Sequence, residues 1–87
     1  MKSIIFGFND NCGTCKMARE MLAIANDSFN VHVKRVNLGT NKKLIEKYKI
    51  SSTPAFIFLN DDAVVEQFYA FHSVTFLFEK INNLVKI

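Results

Sequence analysis

Two cysteines separated by two residues are the most reactive group in this sequence. The run Cys12-Gly13-Thr14-Cys15 contains both cysteines of the chain. Thiols at this spacing can close a small disulfide, share a metal ion or pack as small apolar side chains. Because a thiolate rather than a thiol attacks disulfides, the elements around the pair decide which chemistry is open to it.

The residues around the pair predict a strand before it and a helix after it. Residues 3–8 form a short run rich in Ile and Phe, which is typical of a buried strand, and the polar residues 9–11 end it. From about 13 to 26, apolar residues recur every three or four positions and predict an amphipathic helix. Cys12 therefore lies where this helix begins.

That position favours a thiolate at Cys12. The unpaired N–H groups and the dipole of a helix N-terminus stabilise negative charge, and the N–H groups of Thr14 and Cys15 should face the sulfur. Cys15 lies one turn into the helix and should be more enclosed. We therefore expect Cys12 to attack a substrate disulfide and Cys15 to resolve the mixed disulfide. Gly13 would let a partner's backbone approach closely.

The rest of the chain predicts three more strands and two more helices. Alternating or continuous apolar runs indicate strands, and stripes with a 3.6-residue period indicate helices. The predicted elements are an edge strand at 29–38, a short helix ending near 49, a central strand at 55–59, a tight turn at 60–62, a hairpin strand at 64–70 and a helix capped by Ser73. This order, β-α-β-α-β-β-α, predicts an α/β fold with a four-stranded mixed sheet and helices on both faces.

Length, composition and charge exclude several classes of protein. The length of 87 residues and the hydrophobic content of 49 % predict a single folded domain, residues 1–87, and not a disordered segment. The net charge is +3, and the basic residues do not form the dense stripe that is typical of a nucleic-acid-binding protein. No apolar run approaches the length of a membrane span, and the N-terminal run is too short for a signal peptide.

We therefore expect a cytoplasmic protein, where a structural disulfide is disfavoured and a CxxC pair more often catalyses or binds metal. The remaining soft ligands, His32 and His72, lack the spacing that would complete a zinc site with Cys12 and Cys15. The expectation is a catalytic pair without a metal.

Two stretches resemble the thioredoxin superfamily. The run from Cys12 to Lys16, CGTCK, resembles the family's CGPCK, with Thr14 in place of the proline. The run 48–55, YKISSTPA, resembles the segment that leads into the family's cis-proline loop. The resemblance covers nearly the whole chain in the minimal, glutaredoxin-like form of the fold. It implies that Pro54 is cis and lies beside the cysteines, and that Thr53 offers its backbone to an extended substrate segment.

Several positions depart from the thioredoxin pattern. Asn11 stands where thioredoxins carry a Trp, and Phe6 stands where they bury an Asp, so the usual proton acceptor for the resolving thiol is missing. Asp10 could act as a base through water, although a cap in the loop is the simpler expectation. Arg35 falls near a thioredoxin strand lysine, although a solvated side chain is the simpler expectation.

One position departs from the glutaredoxin pattern. Glutaredoxins bind glutathione partly through a Gly-Gly turn after the last strand, and here that stretch is Ala70-Phe71-His72-Ser73. Phe71 and His72 could line a substrate groove from this turn. Packing for Phe71 and a surface or cap position for His72 are the simpler expectations.

The resemblance implies a thiol-disulfide oxidoreductase that reduces protein disulfides. It implies electrons from a thioredoxin reductase-type flavoprotein and substrates that bear disulfides, with ribonucleotide reductase as one example. We expect a monomer that needs no cofactor or metal of its own and binds neither nucleic acid nor membrane. Two alternatives stay open: a glutathione-linked glutaredoxin, and a non-catalytic interaction module that binds partners along the edge at Thr53 and Pro54.

Overall fold

Four strands and three helices follow one another in the predicted order in a computed structural model that describes residues 1–87. The elements are β1 (Lys2–Phe8), α1 (Cys15–Asn26), β2 (His32–Asn37), α2 (Lys42–Tyr48), β3 (Ala55–Asn60), β4 (Ala63–Tyr69) and α3 (Val74–Val85). The strands form one sheet in the order β2-β1-β3-β4. Strand β1 pairs parallel with β2 and antiparallel with β3, and β4 runs antiparallel to β3. The predicted mixed four-stranded sheet is confirmed.

Helices cover both faces of the sheet because alternate residues of a strand point to opposite sides. On one face, α1 and α3 pack over Phe6, Phe56 and Phe58, each at most 1 % exposed. On the other face, the apolar side chains of α2 cover Ile5 and Ile57. Strand β3 lies between two neighbours and under both layers, which explains why its sequence is a continuous apolar run.

The second strand begins later than the sequence predicts, at His32 rather than at residue 29. The cause is Asn26, the last residue of α1. Its side-chain amide donates to the Val31 carbonyl at 2.7 Å and accepts from the Val31 N–H at 3.0 Å. These two bonds hold the intervening residues in a turn, and Phe29 packs on Phe78 of α3 at 4.8 Å between ring centroids.

The first helix also begins later than predicted, at Cys15 rather than near residue 13. The carbonyl of Thr14 accepts the N–H of Ala18 at 2.9 Å, so Thr14 is the N-cap. Helix α3 begins as predicted, because the Ser73 hydroxyl accepts the N–H of Phe76 at 3.1 Å. No helix combines the length and the apolar character that crossing a membrane requires.

Residues with positive φ lie in the turn between β3 and β4 and directly after the end of β4. Asp61 (50°) and Asp62 (72°) form the two-residue turn, as aspartates tolerate this region better than most residues. Ala70, at φ 75°, ends β4 one residue earlier than predicted. Its N–H donates to the carbonyl of Pro54 at 3.0 Å. A residue other than glycine is strained at positive φ, so the backbone conformation of Ala70 lowers the stability of the folded protein.

Replacing Ala70 with glycine should therefore raise the stability of the protein. The left-handed conformation costs a non-glycine residue about 1–2 kcal/mol, and the extra freedom of glycine in the unfolded chain offsets part of the gain, which leaves about 0.5–1 kcal/mol. Urea unfolding monitored by circular dichroism would measure the change. The control Ala63→Gly, at an exposed strand position without positive φ, should lower stability. A lower unfolding midpoint for Ala70→Gly would contradict the strain at this residue.

Candidate active site

A disulfide joins Cys12, in the loop after β1, to Cys15 at the start of α1. Their Cα atoms are 5.5 Å apart. Cys15 is the first residue of α1 and is 6 % exposed, whereas Cys12 is partly exposed. Because thiol–disulfide exchange requires access to the sulfur, Cys12 is the sulfur that a partner can reach.

The N-terminus of α1 is free to stabilise an anion. No side chain caps it, and its first turn contains no acidic residue. The N–H of Cys12 donates to the carbonyl of Asn9 at 3.3 Å, which fixes the loop in front of the helix. The hydroxyl oxygen of Thr14 lies 3.9 Å from the sulfur of Cys12. When the disulfide is reduced, this hydroxyl and the helix dipole both favour a thiolate at Cys12.

Gly13 lies at the exposed tip of the cysteine loop. A Cβ placed on it would meet no other atom within 4 Å, and its φ is not positive. The fold itself therefore does not require glycine at this position. What the glycine leaves is open space in front of the disulfide, where the backbone of a partner could approach.

Thr53 and Pro54 lie at the same end of the sheet as the cysteines. Ala55 pairs with Gly7 in the β1–β3 ladder, so the two preceding residues lie opposite the end of β1, from which the cysteine loop leaves. The Thr53–Pro54 peptide bond is cis. Pro54 is buried, while Thr53 is partly exposed, and neither backbone group of Thr53 bonds to another backbone group.

A small polar network holds the loop before Pro54 against β4. The amide of Gln67 donates to the Tyr48 carbonyl at 2.9 Å and to the Tyr69 hydroxyl at 2.8 Å. Burial acts to raise the pKa of Tyr69, but hydrogen bonds with Gln67 and with the side chain and backbone of Ser51 outweigh it, so the pKa lies below its ordinary value. The network ties the residues just before Thr53 to the sheet.

A cleft of about 530 Å³ opens beside the disulfide, between α1 and the edge strand β2. We call it the cationic cleft; its lining residues are Phe6, Phe8, Asn9, Cys12, Cys15, Lys16, Arg19 and Arg35. Lys16 and Arg19 had no place in the sequence predictions. Spacing could have indicated Arg19, because it lies four residues after Cys15 and residues one turn apart share a side of a helix, whereas the only signal for Lys16 is that it directly follows Cys15.

Two charged residues weighed as possible proton or charge partners differ in their placement. Arg35 is exposed, as expected for a solvated side chain, but it lines the cationic cleft. Asp10 accepts a hydrogen bond from the Asn37 amide at 3.3 Å and does not line the cleft. Phe6 is 1 % exposed and packs edge-on against Phe56 at 5.4 Å. The cleft beside Cys15 therefore contains no carboxylate.

The turn after β4 departs from the simple expectation for Phe71. His72 is partly exposed: its ring stacks on Phe76 at 4.1 Å, and its Nε2 donates to the Tyr69 carbonyl at the end of β4 at 2.6 Å. Phe71 does not pack in the core and is 42 % exposed. Its aromatic side chain is thus accessible to solvent in the turn after β4. No three potential metal-ligating side chains lie together anywhere in the chain.

A comparison with family models decides the relationship of this chain to known proteins. The family model described as thioredoxin matches residues 2–83. The chain belongs to the thioredoxin family. Among curated relatives, the thioredoxin-like protein YusE of Bacillus subtilis (strain 168) is 32 % identical over 79 residues, which cover 90 % of this chain and 74 % of that protein.

Solved thioredoxin structures share the fold at lower sequence identity. A mutant thioredoxin from Halobacterium salinarum NRC-1 has a TM-score of 0.89 at 17 % identity and covers 99 % of this chain and 76 % of its own. Thioredoxin-2 of the malaria parasite has a TM-score of 0.85 at 20 % identity, covering 95 % and 82 %. Thioredoxin 1 from Thermosipho africanus TCF52B has a TM-score of 0.82 at 17 % identity, covering 97 % and 94 %. These structures therefore share the thioredoxin fold with almost the whole of this chain.

The hydroxyl of Thr14 should influence the reduction potential of this thioredoxin-family disulfide. Thr14→Val keeps the shape of the side chain and removes a donor to the Cys12 thiolate, so the reduced form loses stability. One hydrogen bond of about 0.5–1.5 kcal/mol corresponds to about 10–30 mV, and the potential should fall by that amount. Equilibration with glutathione redox buffers would measure it. Thr75→Val, on the exposed surface of α3, is the matched control and should leave the potential unchanged. An unchanged or higher potential for Thr14→Val would rule out this role.

Proposed function

We propose that this protein is a thiol-disulfide oxidoreductase that reduces disulfides in other proteins. The observation that carries the proposal is the asymmetric pair: a reachable Cys12 bonded to a buried Cys15 at an uncapped helix N-terminus, in a chain of the thioredoxin family. A buried structural disulfide would not need one accessible sulfur or a free helix N-terminus.

The reaction transfers two electrons and two protons to the substrate. The Cys12 thiolate of the reduced protein attacks one sulfur of the substrate disulfide, the substrate S–S bond breaks, and the departing sulfur takes a proton from water. Cys15 then loses its proton, attacks the sulfur of Cys12 and displaces the second substrate sulfur, which is also protonated. The products are a substrate dithiol and the Cys12–Cys15 disulfide.

The Cys15 thiol must lose its proton without a buried carboxylate to accept it. Phe6 occupies the position at which thioredoxins bury an Asp, and Asp10 is engaged with Asn37 outside the cleft. The cationic cleft reaches Cys15 from the solvent, so we assign the proton to water in that cleft. Nearby positive charge assists this step because it favours the thiolate that the proton leaves behind.

Substrate docking is assigned to Gly13, Thr14, Thr53 and Pro54. The unpaired backbone N–H and carbonyl of Thr53 can form a short antiparallel ladder with an extended substrate segment. Gly13 leaves room for that segment at the disulfide. Pro54 has no N–H, and we assign to it the role that the resemblance to thioredoxins implies, which is to keep metal ions from the thiols.

The partners and setting that we propose follow from this chemistry. Each cycle leaves the protein oxidised, so an external donor must supply two electrons, and we assign this role to a thioredoxin reductase-type flavoprotein. Enzymes that form a disulfide in each turnover, such as ribonucleotide reductase, are suitable acceptors. We propose a cytoplasmic monomer, with no resident cofactor, that does not act on nucleic acid or membranes.

Single cysteine variants test the order of the two attacks. Cys12→Ser should reduce insulin disulfides no faster than the uncatalysed background, because no thiolate remains to attack. Cys15→Ser should stop after the first attack and accumulate a mixed disulfide on Cys12, seen as added substrate mass by mass spectrometry. Full activity in Cys12→Ser would refute the mechanism. A double Cys→Ser variant that keeps its cellular partners would favour an interaction module instead.

One observation favours a glutathione-linked glutaredoxin as a second candidate. Ala70 adopts a backbone conformation typical of glycine at the place where glutaredoxins have their Gly-Gly turn, and its N–H bonds to the Pro54 carbonyl. One residue of such a turn can therefore adopt a glycine-like backbone here without being glycine. Thr53 before Pro54 is also common in glutaredoxins.

A comparison of two reducing systems separates the candidates. We expect turnover of insulin disulfides with NADPH and a thioredoxin reductase, and at least about tenfold less with glutathione and glutathione reductase at equal NADPH, since a tenfold rate ratio needs only about 1.4 kcal/mol of preference. The measurement is the rate of NADPH oxidation, followed by its absorbance. Cys12→Ser is the background control in both systems. Faster turnover with glutathione would make the protein a glutaredoxin.

A further inference from the structure

Three cations line the cleft beside the disulfide, and their convergence follows from the fold. Lys16 and Arg19 follow Cys15 by one and four positions in α1, so Arg19 lies one turn along the same side of the helix. Arg35 pairs with Phe6 across the β1–β2 ladder, and paired residues point to the same face of a sheet. Phe6 belongs to the core under α1, so Arg35 extends toward that helix from the sheet edge.

These cations have no anionic partner within the chain. The ion pairs of the structure join Met1 to Asp61 and Lys80 to Glu66, far along the sequence from the cleft. All three cleft cations are exposed, and no carboxylate lines the cleft with them. Like charges that share a cleft repel one another and attract anions, and low-dielectric walls focus this field.

In the groove between α1 and β2, cations stand without carboxylates at the end that holds the disulfide. Arg19 and Arg35 also line the neighbouring stretch between α1 and β2, but there Glu20 and Asp27 accompany them. An anion is therefore favoured next to Cys12 and Cys15 and less favoured further along. The side chains of Phe6 and Phe8 add an apolar lining, against which the methylenes of a Glu side chain can pack.

We propose that the cationic cleft receives Asp or Glu side chains of the protein substrate, within a few residues of the substrate cysteine. The inference rests on the proposed function and names its substrate class: disulfides in acidic segments. The cleft has a volume of about 530 Å³, enough for more than one side chain, and the partly exposed Cys12 is one of its lining residues. Exposed cations of this kind act mainly on association, so the preference is strongest at low salt.

Synthetic peptides test this preference directly. Three intramolecular disulfide peptides of equal length would carry Glu, Gln or Lys at the positions flanking the cysteines. The readout is kcat/KM for their reduction by the intact protein, recharged by dithiothreitol, which also reacts directly at a rate to be subtracted. We expect the Glu peptide to exceed the Gln peptide about tenfold at low ionic strength, with the Lys peptide slowest. The advantage should shrink when the ionic strength rises to about 1 M, because the Debye length falls to about 3 Å.

Two neighbouring residues of β2 provide a matched pair of variants. Arg35→Gln removes a charge from the cleft, whereas Lys34→Gln removes one from the opposite face of the same strand, where Lys34 pairs with Ile5. We expect Arg35→Gln, and more strongly Arg19→Gln with Arg35→Gln, to reduce the Glu-to-Gln ratio through KM. Lys34→Gln should leave it unchanged. An equal loss in both single variants would assign the effect to net charge and overturn the proposal.

The remaining outcomes are equally decisive. Equal kcat/KM for the Glu and Gln peptides in an active protein would overturn the acidic-substrate proposal and leave the proposed function intact. No reduction of any peptide, with insulin also unreduced, would instead refute the proposed function. A kcat/KM for glutathione disulfide above that of the Glu peptide, lost in Arg19→Gln with Arg35→Gln, would make a small anionic disulfide the ligand and overturn an acidic protein segment as occupant.

Discussion

The pairing of β1 with β3 is the interaction on which the whole site depends. The cysteine loop leaves the end of β1, and Thr53 and Pro54 lead into the start of β3, so only their antiparallel register brings the two halves together. Both strands are buried between helical layers, which makes this register costly to shift, since a slip of one residue would turn every core side chain to the wrong face. At the site end the ladder is closed by Gly7 and Ala55, and a Cβ on Gly7 would lie only 2.8 Å from the Leu38 side chain.

The chemistry of the pair follows from where the helix begins. Because α1 begins at Cys15, the buried sulfur belongs to the helix and the reachable sulfur lies just in front of it. The helix N-terminus, with its unpaired N–H groups, then adjoins the residue that should carry the negative charge. The hydroxyl of Thr14, the N-cap residue, forms no hydrogen bond with the helix backbone and lies close to the sulfur of Cys12 instead.

Charge in this site differs from the thioredoxin pattern because no acid accompanies the cations. Where thioredoxins bury an acid, Phe6 contributes only apolar surface, and the side chains that surround Cys15 at a distance are cations. An acid would exchange protons with the resolving cysteine, whereas cations favour its thiolate and attract anions. The same arrangement therefore connects the two proposals made for the cationic cleft, proton release from Cys15 and a preference for acidic substrate segments.

Local patterns in the sequence were enough to predict the element order, the central and edge strands, the Ser73 cap and the likeness to thioredoxins, because each depends on residues close together in the chain. The bond between Cys12 and Cys15 likewise joins residues only three positions apart.

The convergence of Lys16, Arg19 and Arg35 could not be predicted from local patterns, since two of them lie on a helix and the third lies on an edge strand. The late start of β2, the packing of His72 on Phe76 and the exposure of Phe71 also depend on contacts between distant segments or on a single side chain that bonds to a turn. Periodicity indicates which face of an element is buried; only the tertiary structure determines which charged residues at the rims of those faces meet.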